Sequence, residues 1–128
     1  MARKRSQTLT EAELRLMEVL WERGKATVAD VTAALPPPPI AYNSVLTTMR
    51  ILEQKGYVRH EEEGRAYLYT PILQRDEASS KAVDNVLSRF FNGSPGALAL
   101  KLVENERLGE DEIARLKALI ERHEGDRE

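Results

Sequence analysis

Apolar residues recur at the spacing of an amphipathic helix in the segment from Thr10 to Gly24. Thr10 stands three residues before Glu13, which is the arrangement of a capping box at a helix start, and Gly24 suits the residue just past a helix end. Between them apolar positions recur every three or four residues, as on one face of a helix. The face predicted to enter the core carries Leu14, Met17, Leu20 and Trp21.

A short second helix is predicted over Thr27–Leu35. Thr27 is a favoured capping residue and Asp30 is acidic at the third position, where a helix start favours negative charge. The run Pro36–Pro39 cannot continue a helix, so it predicts a stiff connector to the next element.

A third helix is predicted over roughly Ala41–Lys55, ended by Gly56. Its start stays open, because Asn43 is the better capping residue by type, whereas Ala41 fits if Tyr42 opens the helix. The positions that recur at helical spacing on its apolar side are Val45, Met49 and Leu52.

Two short alternating segments follow this helix. They run over Tyr57–Glu62 and Ala66–Thr70, with Gly64 in the turn between them and Pro71 after the second. Alternation bounded by turn residues predicts a β-hairpin. Three helices followed by a hairpin are typical of a winged helix-turn-helix, with the third helix as the recognition helix and the hairpin as the wing.

The remainder of the chain predicts helices only. One is expected over Gln74–Phe91 and stops at Asn92-Gly93, a second starts at Ser94 with Pro95 in the first position, and a third starts at Gly109. Three short amphipathic helices bury little surface alone, so we expect a second copy of the chain to cover them. The residues predicted to form this dimer contact are Val83, Val86, Leu87, Phe90, Leu102, Ile113, Leu116 and Ile120.

The predicted fold class is therefore mainly α with a small β-hairpin. Residues 1–73 are predicted to form a winged-helix DNA-binding domain, and residues 74–128 a helical dimerisation domain. The length of 128 residues suits this division, and 41% hydrophobic residues supply a globular core.

Charge narrows how such a protein would bind DNA. The net charge is −2, with the acidic excess in the C-terminal part, so the sequence does not predict a generally positive surface. The segment Arg3-Lys4-Arg5 is a basic arm that can contact phosphates or a minor groove. Affinity for DNA must otherwise come from a few placed contacts, used twice by a dimer.

The sequence offers no recognisable catalytic or metal chemistry. It has no cysteine, and its two histidines, His60 and His123, stand far apart without a cluster of ligands around them. No nucleophile–base pair or glycine-rich phosphate loop is present, so we expect no enzyme activity, no metal and no cofactor. No stretch reaches membrane-spanning length and Met1–Thr8 lacks the apolar region of a signal peptide, which predicts a cytoplasmic protein without a membrane partner.

The polar face of the third helix carries the candidate DNA contacts. Asn43 can bond adenine through two hydrogen bonds, and Arg50 suits guanine or the backbone. Ser44 and Thr47 can hydrogen-bond a base or phosphate or touch a thymine methyl, and Tyr42 can pack or contact phosphate. The simpler interpretation is the exposed side of a surface helix, but the surrounding order of three helices and a hairpin favours DNA.

Four segments of the chain resemble one known family. They are LTEAELRLMEVLWERGKATVADV, AYNSVLTTMRILEQKGYV, EGRAYLYTP and LVENERLGEDEIARLKALI, and together they cover nearly the whole chain. The chain resembles the BlaI/MecI penicillinase-repressor family of bacterial transcriptional regulators. The resemblance implies a homodimeric repressor on a palindromic operator of double-stranded DNA. It also implies that Asn43, Ser44, Thr47 and Arg50 face the DNA and that Arg65 lies in the wing beside the backbone.

The resemblance further implies a route to derepression. Well-known members are cleaved in a helix of the dimerisation region when a membrane-linked sensor system acts through proteolysis. The matching cleavage site here is Lys101–Leu102, where those members have an Asn–Phe pair, so this chain departs at both residues. Glu61-Glu62-Glu63 beside the wing is a second departure, because carboxylates repel phosphate. This acidic run motivates an alternative function, a winged-helix module that binds another protein.

Overall fold

The computed structural model describes residues 8–127, without the side chains of residues 123, 124, 126 and 127. The predicted basic arm Arg3-Lys4-Arg5 and the side chain of His123 lie outside what is described. The chain divides into two compact units, Met1–Asn85 and Val86–Glu128. The functional division predicted between residues 73 and 74 stays a prediction.

The predicted fold class is confirmed, with mostly helices and a small antiparallel sheet. The elements in chain order are α1 Glu11–Arg23, β1 Ala26–Thr27, α2 Val28–Ala34, α3 Tyr42–Gln54, β2 Val58–Glu63, β3 Ala66–Pro71, α4 Arg75–Phe90, α5 Pro95–Glu104 and α6 Glu110–Arg127. Within the described residues, no helix is long and apolar enough to cross a membrane.

Capping boxes begin the first two helices; the first was predicted as a capping box and the second only as a helix start at Thr27. The Thr10 hydroxyl accepts from the Glu13 backbone N–H at 3.1 Å, and the Glu13 carboxylate accepts from the Thr10 N–H at 2.8 Å. Thr27 and Asp30 form the same pair of bonds at the start of α2. These bonds occupy amide groups that lack partners at a helix start, which fixes where α1 and α2 begin.

The core face of α1 agrees with the predicted one at Met17, Leu20 and Trp21 and differs from it at Leu14. Leu14 was expected inside but is 41% exposed, whereas Leu16 is fully buried beside Met17 and Leu20. The buried face starts at Glu13, which is only 3% exposed, and continues at Leu16, Met17 and Leu20. Glu13 is the charged residue on this buried face, and its burial depends on a partner described below.

A three-stranded antiparallel sheet closes the first unit in the order β1-β3-β2. The predicted hairpin forms β2 and β3, with His60 opposite Tyr69 and Glu63 opposite Ala66. The two-residue strand β1 was not predicted, and it places Ala26 opposite Tyr69. The core between this sheet and the three helices is formed by Leu16, Met17, Val19, Leu20, Ala26, Val28, Val31, Leu35, Val45, Met49, Leu52, Tyr57, Val58, Tyr69 and Leu73.

The second unit contains the end of α4 with α5 and α6. Local signals set the starts of α5 and α6 as predicted. At the start of α5 the Ser94 hydroxyl accepts from the Ala97 N–H at 3.0 Å, and Pro95 occupies the first helical position. The Gly109 N–H donates to the Glu112 carboxylate at 3.0 Å, at the start of α6. Leu87 is the one large apolar side chain that is buried among the described residues of this unit.

Candidate nucleic-acid interface

Helix α3 has a fully buried side and an exposed polar side. Val45, Met49 and Leu52 are buried at 0% exposure, as their spacing predicted. The candidate contacts lie on the other side, and all of them are exposed: Tyr42, Asn43, Ser44, Thr47 and Arg50. The structure therefore places these five together on one accessible helix, and their contact with DNA stays a prediction.

The start of α3 settles the question that the sequence left open. Ala41 is the capping residue with an extended backbone, and Tyr42 is the first helical residue. Ala41 supplies no side-chain hydrogen bond to the first turn. Asn43 is consequently not used as a cap, and its exposed amide lies in the first turn of α3 beside backbone N–H groups that suit an anion.

Two threonine hydroxyls of α3 bond back to the preceding turn. Thr47 Oγ1 donates to the Asn43 carbonyl oxygen at 2.9 Å, and Thr48 Oγ1 donates to the Ser44 carbonyl oxygen at 2.8 Å. Thr47 is exposed, while Thr48 is half-buried. The two residues thus share one local geometry and differ in whether a ligand could reach them.

The wing brings Arg65 towards the start of α3. Gly64 adopts the left-handed conformation with φ of 63°, which permits the tight turn between β2 and β3. Arg65 is exposed in this turn. A cleft of about 290 Å³ separates the wing from the beginnings of α2 and α3, and it is lined by Thr27, Val28, Ala29, Tyr42, Leu46, Arg65, Ala66 and Tyr67. Tyr42 and Arg65, distant in sequence, therefore border the same cleft.

An aromatic and ionic cluster joins the wing to the end of α3. His60 Nδ1 on β2 lies 2.6 Å from Glu53 Oε2 on α3, and the His60 ring stacks on Tyr67 with centroids 4.1 Å apart. Tyr69 lies 5.5 Å from His60, and burial together with the nearby Glu53 carboxylate raises the pKa of Tyr69 above its ordinary value. His60 thus links β2 to α3 through Glu53 and packs on the aromatic side chains of β3.

The acidic run lies on the wing, as the sequence indicated. Glu61, Glu62 and Glu63 are all exposed. Glu61 pairs with Lys25 at 3.6 Å, but both side chains are more than half exposed, so solvent screens the pair and its energy is small. The turn of the wing offers phosphate the Arg65 guanidinium beside these three carboxylates.

Helix α1 holds α3 through contacts that the sequence analysis missed. Lys55, the capping residue at the C-terminal end of α3, bonds both carboxylate oxygens of Glu13 at 2.8 and 3.0 Å. Burial would raise the pKa of Glu13, but the Lys55 ammonium and the Thr10 N–H together hold it below its ordinary value. At the other end, the Arg15 guanidinium donates to the carbonyl oxygens of Pro36 and Pro38 in the connector before α3.

A metal site does not appear in the part of the chain that the structure describes, where no group of three or more histidine, aspartate or glutamate residues could hold an ion. The candidate site in the first unit is instead a set of exposed hydrogen-bonding side chains on α3, with the Arg65 guanidinium in the turn of the wing. These groups suit the edges of base pairs and the phosphates beside them.

Comparison with known proteins points to one family. The sequence profile of the penicillinase repressor family matches residues 9–122. The penicillinase repressor of Bacillus licheniformis is 29% identical over 121 residues, covering 94% of each chain. The transcriptional regulator BlaI of Mycobacterium tuberculosis is 33% identical over 115 residues, covering 88% of this chain and 82% of that one. The solution structure of the DNA-binding domain of the repressor BlaI matches with a TM-score of 0.51 and 26% identity, over 59% of this chain and 93% of that domain.

Proposed function

The chain belongs to the penicillinase repressor family, and from this premise we propose that it is a transcriptional repressor that binds a palindromic DNA operator as a homodimer. The observation that carries the proposal is helix α3, which is anchored by three fully buried residues and exposes a polar face beside a wing. A helix of this kind fits the major groove of B-DNA, with its first turns towards the base edges.

The exposed face of α3 supplies the proposed base contacts. Asn43 offers an amide that can both donate to and accept from adenine, and Arg50 suits guanine or a phosphate about two turns further along. Ser44 adds a short hydroxyl between them. Because the chain is acidic overall, these few placed groups rather than a general positive field must provide specificity and much of the affinity.

We assign contact with the sugar–phosphate backbone of DNA to the cleft between the wing and α3. Arg65 and Tyr42 border that cleft, so a guanidinium and a phenol can reach the same stretch of sugar–phosphate backbone. The three glutamates of the wing oppose this contact electrostatically. The wing is therefore proposed as a weak positioning contact rather than as a main source of affinity.

The homodimer is supported by apolar surface outside the first unit's core. Phe90 is 70% exposed and Ile120 is 49% exposed. Units of this size rarely fold stably on so small a core without a partner. The predicted dimer residues Val83 and Val86 are also exposed, Leu102, Ile113 and Leu116 are half-buried, and Leu87 is buried within the single chain. A symmetric dimer presents α3 twice, which suits half-sites about one helical turn apart.

The proposal includes relief of repression by proteolytic cleavage of the Lys101–Leu102 bond. This bond lies inside α5, with Lys101 exposed and Leu102 half-buried. A protease needs an extended strand of substrate, so cleavage here requires α5 to open locally. The sensor or protease system would act on that opened state.

Selection of bound sequences from a random DNA library with the purified protein tests the proposal. We expect enrichment of a palindrome, and binding that weakens steeply with salt. Asn43→Ala should weaken binding to that palindrome by about 1–3 kcal/mol. Gln54→Ala is the matched control, because Gln54 is also exposed on α3 but lies at its C-terminal end. A library without any enriched sequence would refute the proposal and favour the protein-binding alternative, for which the exposed acidic wing is the supporting feature.

A further inference from the structure

The hydroxyl of Thr47 is already engaged within the protein. Its Oγ1 donates to the Asn43 carbonyl oxygen at 2.9 Å. A hydroxyl carries a single proton, so towards a ligand this oxygen can only accept a hydrogen bond. Thr47 is therefore a poorer hydrogen-bonding group for a base edge than its residue type suggests.

The methyl group of Thr47 is the part left to meet a ligand. The Cβ atom of threonine carries two heavy substituents, and the hydroxyl has turned back to the preceding turn of α3. The side chain as a whole is exposed. Its γ-methyl is consequently the substituent available to project from the middle of the polar face.

Ile51 extends this apolar contact by one turn. It is 38% exposed, and residues four apart on a helix are neighbours on its surface. A single exposed isoleucine is unremarkable by itself. Beside Thr47, however, it produces a short apolar strip on α3, with Asn43 and Arg50 next to it on the polar face.

The base pairs of B-DNA present one apolar group in the major groove, the 5-methyl of thymine. We propose that the Thr47 methyl, extended by Ile51, contacts the 5-methyl group of a thymine in each operator half-site. This inference rests on the proposed function, and it adds that Thr47 selects its base by apolar contact and that every half-site must contain that thymine.

The test combines changes on both sides of the contact. Each thymine of the selected operator is replaced in turn by deoxyuridine, which removes only the 5-methyl group, and binding is measured by fluorescence anisotropy. At one thymine per half-site we expect about a fourfold loss of affinity, the effect of leaving one methyl group unburied, and about fifteenfold for both half-sites.

Two near-isosteric variants separate the methyl from the hydroxyl. Thr47→Val keeps a methyl in each branch and should bind the thymine operator as the wild type does. Thr47→Ser keeps the hydroxyl and should bind the thymine operator more weakly than the wild type does. It should also lose less affinity than the wild type when thymine is replaced, because only Ile51 still contacts the 5-methyl group. Thr48→Ser is the matched control, since Thr48 makes the same backbone bond but is half-buried.

Two results would overturn the inference while leaving operator binding intact. One is an intact Thr47→Ser together with a weakened Thr47→Val, which would assign the contact to the hydroxyl. The other is a wild-type protein that tolerates deoxyuridine at every thymine. A wild-type protein that selects no operator would instead refute the proposed function itself, so the two failures are distinguishable.

Discussion

Lys55 Nζ lies 2.8 Å from Glu13 Oε2, and this ion pair joins the last turn of α3 to the first turn of α1. The Glu13 side chain is 4% exposed and that of Lys55 is 12% exposed, so water screens the pair little. The same carboxylate completes the capping box of α1. One buried glutamate thus completes the cap at the start of α1 and ties it to the end of the proposed recognition helix.

Replacing Glu13 by glutamine should destabilise the first unit by about 3 kcal/mol. Glutamine can still accept the Thr10 N–H, as in many capping boxes, so the change isolates the lost charge and leaves the Lys55 ammonium buried without its partner. Urea unfolding followed by the fluorescence of Trp21, the single tryptophan, measures the effect.

The control for this substitution is Glu18→Gln, which removes an ion pair with Arg75 whose side chains are about half exposed or more. It should change the free energy of unfolding by less than about 1 kcal/mol. Adding Lys55→Met to Glu13→Gln should recover most of the lost stability, because no unpaired charge then remains. If the double variant is no more stable than the single one, the pair is not what stabilises this contact.

The stability of wild type and Glu13→Gln should converge in acid. The folded protein holds the pKa of Glu13 below its ordinary value of 4.5, so this group favours folding when it is ionised. That contribution is complete above the unfolded pKa and is lost as the pH falls through the folded pKa. Urea titrations between about pH 3 and pH 7 should show the gap closing below the ordinary glutamate pKa. A constant gap would argue against the Lys55 charge as its cause.

Local signals explain why most helix starts could be predicted from the sequence. Thr10 with Glu13, Thr27 with Asp30, and Ser94 with Pro95 are each neighbours in the chain, and each forms the expected cap. Strand β1 was missed because two residues carry no periodicity, and because its partner Tyr69 lies far away in sequence. The burial of Glu13 was not predicted because a charged residue is expected outside the core until Lys55 is placed beside it.

The candidate site shows the same division between local and distant relationships. The polar face of α3 was predictable because the buried positions Val45, Met49 and Leu52 fix the phase of the helix. The bond that engages the Thr47 hydroxyl depends on a side-chain rotamer, which periodicity does not specify. The contact of Glu53 with His60 depends on how the hairpin folds over α3, and therefore on tertiary packing.

Arg15→Gln should reduce operator affinity more than it reduces stability. The guanidinium donates to two carbonyl oxygens in the proline connector, at Pro36 and Pro38, directly before α3. Losing these exposed bonds should cost about 1–2 kcal/mol of unfolding free energy. The freed connector leaves the start of α3 less fixed, so DNA binding must order it at an additional cost. Anisotropy with operator DNA and urea unfolding measure the two effects.

The control for Arg15→Gln is Arg23→Gln, which removes an equal charge from the same helix but does not touch the connector. Since both variants lose one positive charge, a general electrostatic effect on DNA binding would weaken them equally. We expect Arg23→Gln to bind the operator more tightly than Arg15→Gln at the same salt concentration. Equal affinities would show that Arg15 acts only through its charge.

Ile120→Glu and Leu116→Glu should convert a dimer into monomers, because each places a carboxylate in the apolar surface proposed to meet the second copy. Ile120 is 49% exposed in the single chain, so its substitution leaves the fold of one copy largely unstrained, whereas Leu116 is half-buried and tests the same surface from its inner edge. Lys117→Glu is the control on α6, since Lys117 is exposed and lies outside the predicted dimer set.

Sedimentation velocity should show a dimer for the wild type and Lys117→Glu and a monomer for Ile120→Glu. The monomer should also lose operator affinity, because it no longer gains from the second half-site. A wild-type monomer at micromolar concentration would contradict the dimer, and an Ile120→Glu dimer would place the contact on another face of the helices.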